Sequence, residues 1–304
     1  MDPRRLEMLL ELSRLGSMRE VAASMHTTTS TISQQLGVLA REAGVELLEP
    51  DGRRVRLTPA GRRLAEHAVT VLAALEAARA DLDPRAAPAG VVRVAAFASA
   101  IRRRVLPVVT RLADEHPDVR LVVREHEPNE AVALLDADEV DLVIGYDYNL
   151  APAASDPTTS TGSLYATPWG LGVPADRAGV AAQATDAAAT VSAFRDSEWI
   201  VNSRNTADDE VLRVACSLAG FAPRITHRAD SLDLVADMVL AGLGVGLLPL
   251  DRDGDRVAVL PVREPDLELR ARTVVRRGRE QWPPLALVLD LLRSPDQERD
   301  QARG

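Results

Sequence analysis

Between Met18 and Thr58 the apolar positions repeat first with a helical and then with a strand-like period, and the rest of the chain is organised around that stretch. Val21, Ala22 and Met25 share one face of a short helix. After the polar turn His26-Thr27-Thr28, Ile32, Leu36 and Leu39 recur at spacings of four and three, the stripe of a helix facing a core. Leu6, Leu9, Leu10 and Leu12 mark an earlier helix, Arg4 to Leu15, that covers the pair from behind. Gly16-Ser17 ends it, and Ser17 and Glu20 have the spacing of a capping box. Val45 to Leu48 and Arg54 to Leu57 are strand-like runs around Pro50-Asp51-Gly52, whose Asp-Gly pair signals a hairpin. From Pro59 to about Asp83, Leu64, Ala68, Val71, Leu75, Ala78 and Leu82 alternate spacings of four and three. That is a coiled-coil seam on a helix of roughly 37 Å. It predicts a dimerisation helix, the alternative being a helix packed only on its own domain.

The stretch Asp83 to Gly90, with Pro84 and Pro88, reads as the end of that helix and a hinge. Beyond it strand and helix patterns alternate. Val91 to Phe97, Val119 to Glu125 and Asp141 to Tyr146 read as strands, with helices at Ile101 to His116 and Glu130 to Ala137 between them. Such βαβ order predicts an α/β unit with a largely parallel sheet. Ala151 to Gly162, rich in Ser, Thr and Pro, reads as a linker to a second α/β unit. Strands are expected there at Trp169 to Val173, Trp199 to Asn202, Val245 to Leu248 and Leu269 to Arg276. The helices are Thr206 to Ala219, opened by a Thr206–Asp209 capping box, then Leu232 to Ala241 and the terminal Leu285 to Arg293.

Chemistry enters with the helix that begins at Thr28. Opposite its apolar stripe stand Thr29, Ser30, Ser33, Gln34 and Arg41, all able to hydrogen-bond, and the expected DNA contacts on this helix are Thr28, Thr29, Ser30, Thr31, Ser33 and Gln34. A helix fills the major groove of DNA and meets base edges with its first turns, where Gln suits adenine and hydroxyls suit bases or phosphates. The plainer alternative is a surface helix whose hydroxyls only cap and hydrate it. The following hairpin, a wing whose Arg53, Arg54 and Arg56 can reach the phosphate backbone, favours the DNA-reading alternative. Arg62 and Arg63 extend the basic cluster.

With Ser33-Gln34-Gln35, Gly44-Val45-Glu46-Leu47-Leu48-Glu49 and Leu57-Thr58-Pro59-Ala60-Gly61 in place, the segment resembles the winged helix-turn-helix of the LysR-type transcriptional regulators. It departs from the family at Ser30-Thr31, Gln34, Ala40 and Pro50, where Pro-Ala, Arg, Glu and Arg are frequent; Gln34 and Pro50 each remove a potential phosphate contact. The strand Asp118-Val119-Arg120-Leu121 and the run Ala241 to Pro249 resemble the effector-binding domain of the same family. The resemblance implies a mostly α N-terminal winged helix-turn-helix (1–58), a long linker and dimerisation helix with hinge (59–89), and a two-lobed α/β effector-binding domain (90–304) resembling type 2 periplasmic binding proteins. Lobe I is expected at about 90–161 plus 279–304, and lobe II at about 162–278.

Ligands of such lobes sit at the carboxyl ends of strands. The expected effector contacts are therefore Ser99 and Ala100 after the first strand, and Asn202, Ser203, Asn205 and Thr206 after its counterpart in the second unit. At the first turn the Ser99 hydroxyl and helix N–H groups could hold an anion; the alternative at each turn is simple helix capping. The expected partners are double-stranded DNA with a dyad operator, a small-molecule effector, and further copies of the chain in a homodimer or homotetramer.

Charge adjusts this picture locally. The net charge is −9, yet residues 1–85 hold 12 arginines and 12 acids, leaving 24 arginines and 33 acids beyond. The acidity thus belongs to the second part, and the arginine cluster at 53–63 decides DNA binding. One cysteine, Cys216, excludes an internal disulfide and fits a reducing cytoplasm. No apolar run reaches the length of a membrane helix, and the N-terminus reads as an amphipathic helix rather than a signal peptide. Gly242 to Gly246 lies between a helix and a strand, the reverse of a dinucleotide loop, and Asp251 to Asp255 lacks the order of a calcium loop. The five histidines form no metal-ligand spacing. No metal, cofactor or catalytic constellation is expected. A small-molecule binding protein with a helical N-terminus, and a ligand-independent winged-helix repressor, are the alternatives.

Overall fold

The computed structural model describes residues 1–51, 54–82, 87–202, 204, 206–252, 254 and 256–294. Helix α1 (Pro3–Leu15) starts where the Asp2 carboxylate accepts the Arg4 N–H at 2.8 Å, and stops at Gly16 (φ 64), whose N–H donates to Leu12. Helix α2 (Met18–Ser24) follows Ser17, which makes no side-chain cap, so the expected capping box does not form. The chain reverses through His26 (φ 50) into α3 (Thr29–Ala43). Leu9, Val21, Ile32, Leu36 and Leu39 are fully buried together in one core.

The wing pairs β1 (Leu48–Asp51) with β2 (Arg54–Leu57), Glu49 opposite Arg56. Its first strand lies three residues later than the hydrophobic run Val45–Leu48 suggests, because Leu47 is drawn into the helical core and only Leu48 onward is free to pair. Thr58 clamps the wing to the next helix: its hydroxyl donates to the Glu46 carbonyl at 2.8 Å and accepts the Gly61 N–H at 3.0 Å. A Cβ on Gly61 would lie 2.2 Å from the Leu47 carbonyl oxygen. Gly61→Ala is therefore expected to destabilise the winged domain by about 1–3 kcal/mol, read as a lower urea midpoint. An unchanged midpoint would show that the wing can back away.

Helix α4 (Pro59–Leu82) serves two surfaces. Ala65, Ala68 and Leu72 join the winged-helix core, with Leu64 half-buried against it. Ala68, expected in the dimer seam, is thus occupied within its own chain, because α1 packs across the first turns of α4. Val71 (50% exposed), Leu75, Ala78 and Leu82 (85% exposed) remain as an apolar line with little cover. The other side of α4 meets the C-terminal α/β domain, where the Thr70 hydroxyl donates to the Arg277 carbonyl at 3.0 Å and Gly278 (φ 86) passes too close for a side chain. Of the expected hinge, residues 83–86 lie outside the described residues.

The C-terminal domain runs β3 (Gly90–Ala96), α5 (Ala98–Ala100), a π-helical turn (Ile101–Val105), α6 (Leu106–Glu115), β4 (Val119–Glu125), α7 (Pro128–Asp136) and β5 (Leu142–Tyr148). The π turn precedes Pro107, which lacks an N–H and crowds the carbonyl four residues back. Then come β6 (Thr159–Pro174), α8 (Ala187–Ser192), β7 (Glu198–Val201), α9 (Thr206–Leu218), β8 (Arg224–Arg228) and α10 (Leu232–Leu240). The chain closes with β9 (Val245–Pro249), β10 (Val257–Pro261), β11 (Leu267–Arg276) and α11 (Pro283–Arg293).

Strand order is β4-β3-β5-β11-β6-β9-β7-β8, with β10 also on β6. β3 pairs in parallel with β4 and β5, and β7 with β8 and β9, as alternating strands and helices require. The two lobes meet through β6 and β11, which run antiparallel to each other for ten register pairs, from Trp169↔Leu267 to Thr159↔Arg276. Residues 159–162, expected as linker, are thus the first residues of a long strand; Ser160 and Thr161 line a polar hollow beside Arg293.

Lobe I is pinned by a buried ion pair. The Arg93 guanidinium donates to both oxygens of Asp141 at 2.9 and 2.8 Å, and the Arg93 backbone N–H adds a third bond at 2.9 Å. Arg279 approaches the same carboxylate at 3.6 Å and stacks on Trp282 at 4.0 Å. Asp138, one turn away, forms an ion pair with Arg14 of α1 at 3.2 Å, tying the winged domain to lobe I.

Candidate functional site

The reading helix is built from its buried side outward. With Ile32, Leu36 and Leu39 at 0% exposure, α3 cannot rotate, and Thr29, Ser30, Ser33 and Gln34 are held in solvent on the opposite face. Thr28 is the N-cap. Its hydroxyl accepts the Thr31 N–H at 3.1 Å and shares hydrogen bonds of 2.8 Å with the Ser30 and Thr31 hydroxyls. Thr31 is half-buried and completes that cap. Gln35 points the other way and accepts from Arg5 at 2.9 Å, so it belongs to the scaffold. On the wing Arg56 is 62% exposed and pairs across the ladder with Glu49 at 2.7 Å. Arg53 and the side chain of Arg54 lie outside the described residues; the Arg54 backbone pairs with Asp51.

The second site is the cleft between the lobes, at the carboxyl ends of β3, β4 and β7. A cavity of about 260 Å³ opens there against Phe97, Tyr146 and Trp169. It adjoins a second hollow of about 360 Å³ bounded by Arg103, Tyr165 and Thr167. Four rings form a chain of edge-to-face contacts under the cavity: Phe97 to Tyr146 at 4.8 Å, Tyr146 to Tyr148 at 6.0 Å, and Tyr148 to Trp169 at 5.6 Å.

Each tyrosine of β5 holds one carboxylate. Tyr146 donates to Glu127, the N-cap of α7 in lobe I, at 3.3 Å. Tyr148 donates to Asp208, in the first turn of α9 in lobe II, at 2.8 Å. Burial pushes Glu127 up to about 7, and the charge of Asp208 adds to the rise against Arg204 and Tyr146. Burial also pushes Asp208 up to about 6, against the hydrogen bond from Tyr148. At the cleft mouth, Arg204 bridges the lobes, 2.9 Å from Asp230 and 3.6 Å from Glu130.

Of the expected effector contacts, Ser99 is exposed and lines both hollows, and Asn202 lines the first, its amide oxygen accepting the Arg204 N–H at 2.8 Å. Ala100 is fully buried in the core of lobe I, because its helix turns that position inward, and it does not line the cleft. Thr206 opens α9, and the Asp209 carboxylate pairs with Arg213 and Arg228; the expected Thr206–Asp209 capping box rests on residues outside the described ones. Ser203, Asn205 and the Thr206 side chain lie outside the described residues. Sequence reading missed Glu127, Asp208 and Tyr148. The signal available was the strand end Tyr146-Asp147-Tyr148, two aromatics on one face flanking an acid.

A reading head joined by a long helix to a two-lobed ligand cleft defines a ligand-responsive DNA-binding regulator. The chain matches the family description "Bacterial regulatory helix-turn-helix protein, lysR family" over residues 3–62 and "LysR substrate binding domain" over residues 85–295. It belongs to the LysR family of transcriptional regulators. It is 25% identical over 289 residues to the transcriptional dual regulator GltC of Bacillus subtilis, covering 90% of this chain and 93% of that protein. It is 27% identical over 288 residues to the DNA-binding transcriptional dual regulator OxyR of Escherichia coli, covering 91% and 90%. Among solved structures, full-length OxyR from Pseudomonas aeruginosa shares the fold at a TM-score of 0.71 and 22% identity, over 98% of this chain and 95% of that one.

Proposed function

We propose that this regulator reads a dyad operator through Thr28, Thr29, Ser30, Ser33 and Gln34, with Arg53, Arg54 and Arg56 of the wing on the flanking backbone. The observation that carries this is the row of exposed hydroxyl and amide groups on a helix whose other face is wholly buried. Thr31 serves the cap rather than a base. A dyad operator requires two reading heads, and the apolar line Val71, Leu75, Ala78 and Leu82 is the surface through which α4 pairs with a second copy, in a dimer or a tetramer. The domains divide as 1–58, 59–89 and 90–304. The lobes exchange near Thr167–Trp169 and Leu267–Leu269, where the strand pairing passes from one half of the sheet to the other.

The effector occupies the cleft, touching Ser99 and Asn202, and closure of the lobes on it shifts the balance between assembly states with different affinity for DNA. The relatives named for hydrogen peroxide do not extend to this chain. It has one cysteine, Cys216, buried on α9 with its thiol pushed by burial up to about 12, so the sensor is the cleft rather than a thiol. The protein works in the cytoplasm, on chromosomal DNA, as a binding protein without catalysis of its own. Among the described residues no helix is long and apolar enough to cross a membrane.

Fluorescence anisotropy on the DNA upstream of the protein's own coding sequence, across a salt series and against scrambled DNA, tests the reading. Gln34→Ala is expected to cost about 1–3 kcal/mol on the specific site and nothing on scrambled DNA. Arg54→Ala is expected to weaken both and to reduce the salt slope by about one. Equal binding of wild type and Gln34→Ala to the specific site would move base reading to other residues.

A further inference from the structure

The cavity is lined by more acids than bases: Glu125, Glu127, Asp208, Asp230 and Asp233 stand against Arg252 and the exposed Arg102 at its rim. Arg204 is paired with Asp230, and Arg252 with Asp233 at 2.7 Å. Among the described residues Glu127 and Asp208 make no ion pair; each has only a tyrosine hydroxyl and, for Glu127, its own helix end. Glu127 is 6% exposed, and Asp208 is half-buried, its open side towards the cavity. A buried carboxylate without a cation is costly, and two that face each other are costlier. One acid comes from each lobe, so their repulsion also opposes closure.

We infer that the effector is an organic cation, bearing an ammonium or guanidinium group that sits between Glu127 of lobe I and Asp208 of lobe II. This rests on the cleft being the effector site. The aromatic faces of Phe97, Tyr146 and Trp169 that line the same cavity suit a cation and its hydrocarbon stem. The ligand's charge then replaces repulsion across the lobes by attraction to both, which couples occupancy to closure. Binding must also expel the proton that Glu127 holds near neutrality. The groups facing Glu127 are Asp208, Asp230 and Arg204 from lobe II, Tyr146 from β5, and His126 and Glu130 beside it; Arg204 is the cation among them and already serves Asp230 and Glu130.

Calorimetric titration of the full chain with agmatine and with putrescine, at pH 6 and pH 8, with succinate as the anionic control, decides the matter. Each sample is also assayed for operator binding. Expected are binding of at least one cation, about tenfold tighter at pH 8 than at pH 6 as a carboxylate titrating near 7 ionises, and loss of at least about tenfold in Glu127→Gln. Proton release, seen as a heat that depends on the buffer's ionisation enthalpy, accompanies binding in the wild type. Asp208→Asn, with the same expected loss, stands in if Glu127→Gln does not fold. Binding of succinate but of neither cation, binding of neither cation at millimolar concentration, or cation binding unaltered in both variants overturns the inference. If operator binding persists in those samples, the regulator reading survives and only the charge of the effector is wrong; if it is absent as well, both fail.

Discussion

Asp141→Asn lowers the unfolding free energy of the effector-binding domain by about 3–5 kcal/mol. The carboxylate is 4% exposed and takes three hydrogen bonds from Arg93, with Arg279 at 3.6 Å. Burial by itself would raise its pKa, but the hydrogen bonds and charge of Arg93, with Arg279 behind them, outweigh burial and leave it lowered. The amide keeps the shape and removes the charge, so two largely buried guanidinium groups lose the carboxylate between them and keep only the more distant charge of Asp138 in common. Guanidinium-chloride unfolding followed by tryptophan fluorescence reads the loss, and Arg93→Ala with the double variant, measured beside it, closes a double-mutant cycle. A loss below about 1 kcal/mol for Asp141→Asn would mean that water reaches the pair. Since Arg93 also donates to the Asp138 carbonyl, and Asp138 holds Arg14 of α1, the same substitution loosens the winged domain from lobe I.

Glu127→Gln is expected to stabilise the ligand-free protein, and only at higher pH. Its carboxyl is raised from 4.5 to about 7 in the folded state, so the folded chain holds a proton that the unfolded chain gives up. Stability from that proton is complete below about pH 4.5 and is lost as pH rises to 7 and beyond. At pH 8 the deficit is about 3 kcal/mol, and the glutamine variant escapes it. The difference in unfolding free energy between variant and wild type should therefore grow from nearly zero at pH 4 to its full size by pH 8. Asp208, raised from 3.8 to about 6, adds its own loss over a lower window. Asp141 has the opposite sign: being lowered, it contributes above pH 3.8 and fails as acid protonates it. A difference that is flat in pH would show that Glu127 titrates alike in the folded and unfolded chain.

The gain in the apo protein and the loss of cation binding come from the same substitution. Cleft acids that strain the empty protein are the groups that hold its ligand, the usual trade between stability and function.

The helical reading head was legible because its two faces differ sharply. Ile32, Leu36 and Leu39 keep the helical period without interruption, and Thr29, Ser30, Ser33, Gln34 and Arg41 stand opposite them. The long helix was legible in length but not in allegiance. A heptad seam does not say whether α1 or a second copy fills it, and Ala68 went to α1 while Leu82 stayed open. Strand β6 was half hidden, since Thr159-Ser160-Thr161-Gly162 has the composition of a loop and pairs only because β11 offers it a ladder. Strands β8 and β10 and the short helix α8 escaped for the same reason: they are brief and become regular only beside their neighbours. In the cleft, Ser99 and Asn202 followed from strand-end logic. Glu127 and Asp208 did not, because each sits at a helix start, where an acid usually needs no further explanation. What distinguishes them is the tyrosine behind each, and that pairing spans 19 residues in one case and 60 in the other.

The antiparallel course of β6 and β11 through both lobes means that lobe II is a single uninterrupted insertion, leaving and re-entering lobe I at adjacent rungs. Ala166 lies opposite Arg270, and Thr167 opposite Leu269. Joining these two rungs by an Asn-Gly hairpin turn would excise the whole second lobe and leave the parallel strands, the buried Arg93–Asp141 pair and the linker helix in place. The fold thus contains the outline of its own effector-blind counterpart, a deletion in which DNA occupancy can be measured with no sensor attached.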